Sequence, residues 1–191
     1  MGTKVKLPKL AMAYTQLPEP EQHTQEKIEY VIEQTKTRNK FWEASVAAHD
    51  EDPSFAIKEY CKENNIDFPA REVYELEDQA VQTIKFWKRK FAKLRPYAAA
   101  EHYGLNVDRL PSKTNKTKSY PSGHSTQGYL AGLYVSSIYP SHRVGIMEAG
   151  LECGIGRIKA GFHYLNDHEA GMNLATQLFN LVKTWKNLLT Y

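Results

Sequence analysis

Residues 69–96 read P-A-R-E-V-Y-E-L-E-D-Q-A-V-Q-T-I-K-F-W-K-R-K-F-A-K-L-R-P, and this stretch decides the fold class. Pro69 suits the first turn of a helix, where its missing N–H has no partner to lose. Glu72, Glu75 and Glu77 lie near the positive end of the helix dipole. Ile84, Trp87, Phe91 and Leu94 then recur at helical spacing. The pattern predicts one long amphipathic helix, stopped by Pro96 because the residue before a proline is pushed out of the helical region.

The same reasoning extends outward. From about Glu21 to His49, Ile28, Val31, Ile32, Phe41, Trp42 and Val46 line one stripe with no proline between them, which predicts another long helix. His49-Asp50-Glu51-Asp52-Pro53 breaks it, and a short helix follows from Ser54 to Asn64. Residues 104–121 mix Gly, Pro, Ser, Asn and Lys without periodicity and read as a loop. Three further helices are expected at about 123–138, 141–159 and 167–189. The sequence has no sustained alternation and no Asn-Gly hairpin turn, so strands are not expected. The expectation is an all-α fold: a single-domain helical bundle over residues 20–191 with the active site at one end of the core helices. Residues 1–19, rich in proline and polar groups, are expected as an extended segment on the surface.

The chain has 191 residues, 41% hydrophobic and 25% charged, which suits one globular domain. A net charge of +3 is too small for a nucleic-acid protein, yet compatible with anionic substrates. Two cysteines, Cys61 and Cys153, make no disulfide framework or zinc spacing and read as buried thiols. The start lacks a signal-peptide apolar run. The most apolar stretch, around Tyr129 to Tyr139, is about half the length that spans a bilayer. The reading is therefore a cytoplasmic protein without membrane attachment, or a periplasmic one if an export signal precedes it. A homo-oligomer is compatible with all of this.

Three segments carry chemistry. In the first, K-R-K-F-A-K-L-R-P, Lys88 and Arg95 are seven residues apart, so two helical turns bring them to one face. A lysine gives a phosphate a point charge and an arginine a planar fork. Alone, such a helix reads as a solvated basic face. In the second, Ser119-Tyr-Pro-Ser-Gly-His-Ser125, Ser122 is a fitting N-cap. The free N–H groups and dipole of a helix N-terminus attract anions, Gly123 lets the backbone approach a ligand, and His124 lies beside it. In the third, Gly156-Arg-Ile-Lys-Ala-Gly-Phe-His-Tyr-Leu-Asn-Asp167, Arg157 ends a helix and Gly161 breaks it. His163 falls in the turn, four residues before Asp167. That carboxylate can fix the tautomer of the imidazole and leave its other nitrogen free to attack.

Together, K-x6-R-P, P-S-G-H and R-x5-H-x3-D, in that order, resemble the type-2 phosphatidic acid phosphatase and vanadium haloperoxidase superfamily. The likeness is strongest to the bacterial class A non-specific acid phosphatases. Leu-Pro-x-Pro from Leu17, the run from Lys116 to His124, and Gly-Phe-His-Tyr at 161–164 support it from about residue 17 onward. The resemblance implies a cofactor-independent, metal-independent phosphatase of small phosphorylated substrates, inhibited by vanadate. It implies His163 as nucleophile, Asp167 as its orienting partner and His124 as general acid and base. Lys88, Arg95, Ser122, Gly123 and Arg157 would hold the phosphoryl oxygens. One departure stands out: the family usually has serine before the third-motif arginine, and here it is Gly156, so a hydroxyl contact to phosphate is expected to be lost.

Other residues read as ordinary. The His49–Asp52 cluster reads as a solvated acidic loop and Lys113, Lys116 and Lys118 as a mobile basic loop; His142 and His168 have no motif support, and His168, next to Asp167, reads as a surface residue. Asn115-Lys-Thr117 is formally a glycosylation acceptor. Two rival functions remain in view. One is a vanadate-dependent haloperoxidase, although those are generally much longer. The other is a helical protein that captures phosphate or nucleotides without turnover, for which an oriented nucleophile would be superfluous. A membrane-lipid phosphatase would need hydrophobic spans.

Overall fold

Helix α4, Ala70–Phe91, is the long helix expected, and it buries Val73, Leu76, Glu77, Ala80, Thr83, Ile84, Trp87 and Lys88 along one face. The computed structural model describes residues 6–8 and 11–188. Among these, the α-helices are α1 (Gln25–Lys36), α2 (Lys40–Glu51), α3 (Phe55–Glu63), α4, α5 (Pro96–Ala100), α6 (Gly123–Ile138), α7 (Arg143–Lys159) and α8 (Leu165–Leu188). Short 3-10 turns span Ala11–Tyr14, Glu101–Tyr103 and Pro140–His142. No described residue is in a strand, so the protein is all-α.

Helix α6 is the centre. It is buried on most sides, through Leu130, Ala131, Gly132, Leu133 and Val135, and packs against α4, α7 and α8. Such a helix needs neighbours all round because it has no polar face to give to water. Leu76, Ala80, Ile84 and Trp87 of α4 meet Leu130 of α6 and Leu174, Leu178 and Val182 of α8 in the main core. Leu7, Ala11 and Leu17 of the N-terminal segment are buried in that same core. A second core joins Ile57 and Cys61 of α3 to Val73, Ala131, Val135 and Ile146. Both cysteines are free and buried.

Two boundaries differ from the sequence reading. The helix expected from Glu21 to His49 is two helices, because Asn39 caps a new start: its side chain accepts from the Trp42 amide at 3.1 Å. A side-chain cap can satisfy an orphan N–H of the first turn, and with an apolar stripe on both sides nothing in the periodicity marked the break. Pro96 does not stop α4 either. The helix ends at Phe91 with Ala92 in the left-handed region (φ 48°), and Pro96 is the first residue of α5.

Candidate active site

Lys88, Arg95, Gly123, His124, Arg157 and His163 line one cavity of about 370 Å³. Six of the eight residues expected at the site therefore meet, although they come from four separate parts of the chain. Lys88 and Arg95 do not share a helix face. Lys88 is on the last turns of α4, whereas Arg95 follows the left-handed turn at Ala92 and precedes α5. Lys88 Nζ donates to the carbonyls of Lys118 (2.5 Å) and Ser119 (3.1 Å). Arg95 Nε donates to the Thr117 carbonyl at 2.7 Å, and its NH1 to the Phe162 carbonyl at 3.0 Å. The two cations thus clamp the loop that leads into α6.

Ser122 and Asp167 do not line the cavity. Ser122 is fully buried, and its hydroxyl oxygen accepts from the Ser125 amide at 3.3 Å and the Ser125 hydroxyl at 2.8 Å. The oxygen that was expected at the phosphate thus caps α6 here. The Ser122 amide donates to the Asp167 carbonyl at 2.9 Å, tying the start of α6 to α8. Gly123 and His124 open α6 at the cavity wall.

Arg157 is 1% exposed. Its NH1 donates to Asp50 Oδ1 at 2.8 Å, and its NH2 to the hydroxyls of Ser112 (3.2 Å) and Thr114 (3.3 Å). Its Nε is buried with no hydrogen-bond partner. A buried guanidinium donor without a partner is costly, and an anion in the cavity is the kind of group that would satisfy it.

At His163 the donors and acceptors fix the tautomer. Arg95 NH1 lies 3.1 Å from Nε2. A guanidinium has no acceptor, so Nε2 carries the lone pair and Nδ1 carries the proton. Nδ1 is 3.2 Å from Asp167 Oδ2. Asp167 also accepts from Ser119 Oγ (2.5 Å), Lys93 Nζ (3.0 Å) and the Tyr164 amide (3.1 Å). Gly161, at φ 78°, makes the turn that delivers His163. A Cβ there would sit 2.9 Å from Val107 Cγ1 and 3.1 Å from the Asp108 carbonyl oxygen, so both backbone and space require glycine.

Lys88, Arg95, His124, Arg157 and His163 are all pushed toward their neutral forms. Burial, then the charge of Arg95, drives His163 well below the usual histidine range, against the opposing effect of its hydrogen bond to Asp167. Burial, then Arg157, does the same to His124. Burial, then Arg95, lowers Lys88 well below its ordinary value, and burial brings Arg95 down to about 10. Burial pushes Asp167 up, but the His163 hydrogen bond and charge, Lys93 and Ser119 outweigh it and hold the carboxyl below its usual range. A dianion bound among these groups would reverse every basic shift, since an opposite charge nearby favours the protonated form.

The family model for the PAP2 superfamily matches residues 79–191. The chain belongs to the PAP2 superfamily. Among curated relatives, a non-specific acid phosphatase of Providencia stuartii is 31% identical over 103 residues, which is 53% of this chain and 40% of that protein. An acid phosphatase of Zymomonas mobilis is 31% identical over 90 residues, 47% of this chain and 32% of that one. A non-specific acid phosphatase of Salmonella typhimurium is 28% identical over 97 residues, covering 51% and 38%. The match thus spans well under half of each relative's length. Among solved structures, a transmembrane PAP2-type phosphatidylglycerolphosphate phosphatase from Bacillus subtilis shares the fold. It has a TM-score of 0.55 and 17% identity, over 86% of this chain and 88% of that one. In this PAP2 member no helix among the described residues is long and apolar enough to cross a membrane.

The PAP2 site also uses residues that the sequence reading set aside. Asp50 was expected in a solvated loop, but it lies in α2 and pairs with Arg157. Burial pushes its carboxyl up, yet the hydroxyls of Ser112 and Thr114, the Lys113 amide and Arg157 together hold it below the usual range. Asp52, from the same cluster, pairs with Lys58 at 2.9 Å, and His49 is buried. His168 is not a surface residue: it is 5% exposed and bonds Ser125 Oγ at 2.9 Å. Its place one position after Asp167 on α8 turns it toward α6, where Ser125 waits. Lys93 and Ser119, both buried, hold Asp167. Gly156 faces α2 rather than the cavity, since a Cβ there would meet Val46 Cγ2 at 3.3 Å. Its missing hydroxyl is therefore a packing feature, which corrects the expected loss of a phosphate contact.

Proposed function

We propose that this protein is a phosphomonoesterase of small soluble phosphate esters, nucleoside monophosphates among them, acting through a phosphohistidine intermediate without a metal. The observation that carries the reading is His163: a buried imidazole whose Nδ1 faces a carboxylate and whose Nε2 lone pair accepts from Arg95 at the wall of a cavity also lined by Lys88 and Arg157. The names of the curated relatives, acid phosphatases all, agree with it.

In this scheme the ester's phosphoryl oxygens sit against Lys88, Arg95, the free Nε of Arg157 and the amides at the start of α6. Phosphoryl transfer asks chiefly for positioning and neutralised equatorial charge, and these fixed donors supply both. His163 Nε2 forms a bond to phosphorus as the phosphorus–oxygen ester bond breaks. His124 gives its proton to the departing alkoxide, a step worth about 10²–10⁴-fold. Asp167 stabilises the imidazolium that develops on His163. Neutral His124 then takes a proton from water as that water attacks the phosphohistidine, releasing inorganic phosphate and restoring both histidines. Because His124 is held neutral in the free cavity, its proton arrives with the substrate. A phosphate ester loses its second proton near pH 6, so kcat/KM is expected to fall as pH rises past that value.

The test is phosphate release from nucleoside monophosphates and other small esters, with and without chelator, by the wild type and by His163→Ala. Release that survives chelation, is blocked by vanadate, and disappears in the variant supports the reading. Undiminished release by His163→Ala, or loss of activity on chelation, overturns it. A flat profile over diverse esters removes the nucleotide preference alone.

A further inference from the structure

A second cavity, a groove of about 530 Å³, adjoins the first and shares Lys85, Lys88, Arg95 and Thr117 with it. Its lining includes Lys85 and Arg89, one turn apart on α4, Lys116 and Lys118 of the loop before α6, and the apolar Leu94 and Tyr97. No acidic residue lines it. Lys85, Arg89, Lys116 and Lys118 are exposed, and none is in an ion pair among the described residues.

The neighbouring cations behave differently, which makes this grouping informative. Lys88 is turned into the catalytic cavity, Lys90 lies over the Trp87 ring at 4.7 Å, and Lys113 pairs with Glu51 at 2.7 Å. Of the basic residues near the site, these four are left unpaired around one groove, and like charges so arranged repel. An anion between the walls would relieve that repulsion. The groove has the volume of a small-molecule site, and a net charge of +3 argues against a polyanionic polymer. Its lining includes Arg95, whose guanidinium touches His163.

We infer that this groove is a leaving-group subsite for a second phosphate, so that the preferred substrates are phosphomonoesters whose alcohol is itself phosphorylated. The inference rests on the phosphomonoesterase reading for its catalytic half. The first phosphate occupies the His163 cavity, and the second lies between Arg89 and the Lys116–Lys118 loop. Exposed charge contacts each contribute about two- to fivefold in affinity, so three of them are expected to give roughly tenfold or more in kcat/KM.

The experiment compares matched pairs: fructose 6-phosphate with fructose 1,6-bisphosphate, and adenosine 5′-monophosphate with adenosine 3′,5′-bisphosphate. The enzyme is the wild type and an Arg89→Gln/Lys116→Gln/Lys118→Gln variant, whose changes lie outside the catalytic cavity. The inference expects the bisphosphate of at least one pair to be preferred about tenfold by the wild type. The pair that shows the preference identifies the sugar or the nucleoside as the source. In the variant the preference shrinks toward unity while kcat/KM for the monophosphate stays within about threefold. Binding of the same four compounds to His163→Ala, by calorimetry, reads the subsite without turnover. Absent turnover with intact bisphosphate-selective binding sinks the hydrolase reading and keeps the subsite. Equal treatment of both members of each pair, or a preference untouched in the variant, overturns the subsite and leaves the hydrolase reading standing.

Discussion

Asp50→Asn is the perturbation that most directly tests how the site is held. Asp50 Oδ1 accepts from Arg157 NH1 at 2.8 Å, Ser112 Oγ at 2.6 Å and Thr114 Oγ1 at 2.7 Å, and Oδ2 accepts from the Lys113 amide at 2.7 Å. Asparagine keeps one acceptor, but sets an NH2 against the Lys113 N–H and removes the charge facing Arg157. The side chains of the pair are 2% and 8% exposed, so little water is present to replace the lost partner. Breaking a buried pair from one side costs about 3–5 kcal/mol. The oxygen that asparagine keeps can still accept from one donor, which brings the expectation to about 2–3 kcal/mol. For a chain of this length each kcal/mol is about 2–4 °C in Tm, so the variant should melt roughly 5–10 °C lower. Arg157 also loses the contact that orients it, and misplacing a phosphate ligand by about 1 Å costs on the order of 10²-fold in kcat/KM. The assay is a thermal melt beside steady-state kinetics on one small ester. A Tm within about 1 °C of wild type, with unchanged kcat/KM, would refute the reasoning. A lowered Tm with full activity would make Asp50 a fold residue only.

Asp167→Asn should lower kcat by about 10⁴-fold, as losing the orienting carboxylate does in other histidine-dependent sites, because an amide N–H facing His163 favours the tautomer with the proton on Nε2; full activity in kinetic assays would refute this. His168 is held down to about 4 by burial. Its folded pKa lies below the unfolded 6.5, so its contribution is intact above pH 6.5 and is lost as pH falls through 4, at about 1.4 kcal/mol per unit; urea denaturation of wild type and His168→Asn across this window measures it, and parallel curves would count against it. Glu77 runs the other way. Burial, then Asp52, raises it to about 8 from 4.5, so its contribution is complete below 4.5 and is lost as pH rises through 8. Glu77→Gln should therefore gain on the wild type between about pH 5 and 8 in the same denaturation assay, and a constant difference would argue against a protonated Glu77. Gly161→Ala should cost about 1–3 kcal/mol from its backbone conformation alone, with further loss from the Val107 contact, as a lowered melting temperature; an unshifted melt would mean that the turn tolerates a side chain.

The helical class of this protein was legible because α4, α6, α7 and α8 carry their periodicity and end signals locally. The break at Asn39 was written in the sequence as a cap residue, but a continuous apolar stripe on either side outweighed it. The turn at Ala92 had no sequence mark, since a non-glycine left-handed residue is permitted only by the packing around it. His163, Asp167, Lys88, Arg95, Arg157, Gly123 and His124 were legible as motif members, because each segment joins a chemically specific residue to a helix end. Asp50 was not, since an acidic residue 107 positions from its partner carries no spacing signal and resembles any charge at a helix C-terminus. His168 was misread for a related reason: whether a polar side chain on a helix meets water or a serine depends on which neighbour packs there.

The sequence by itself determined the helices, the residue types that recognise phosphate, and the order in which they enter the chain, because these depend on local propensity and on functional-group chemistry. The tertiary structure decided which lone pair His163 offers, that Ser122 caps α6, that Asp50 holds Arg157, and that four cations without an ion pair among the described residues surround a second groove. Those depend on donors and acceptors brought within hydrogen-bond distance from remote parts of the chain, and on how much water the packing leaves between them.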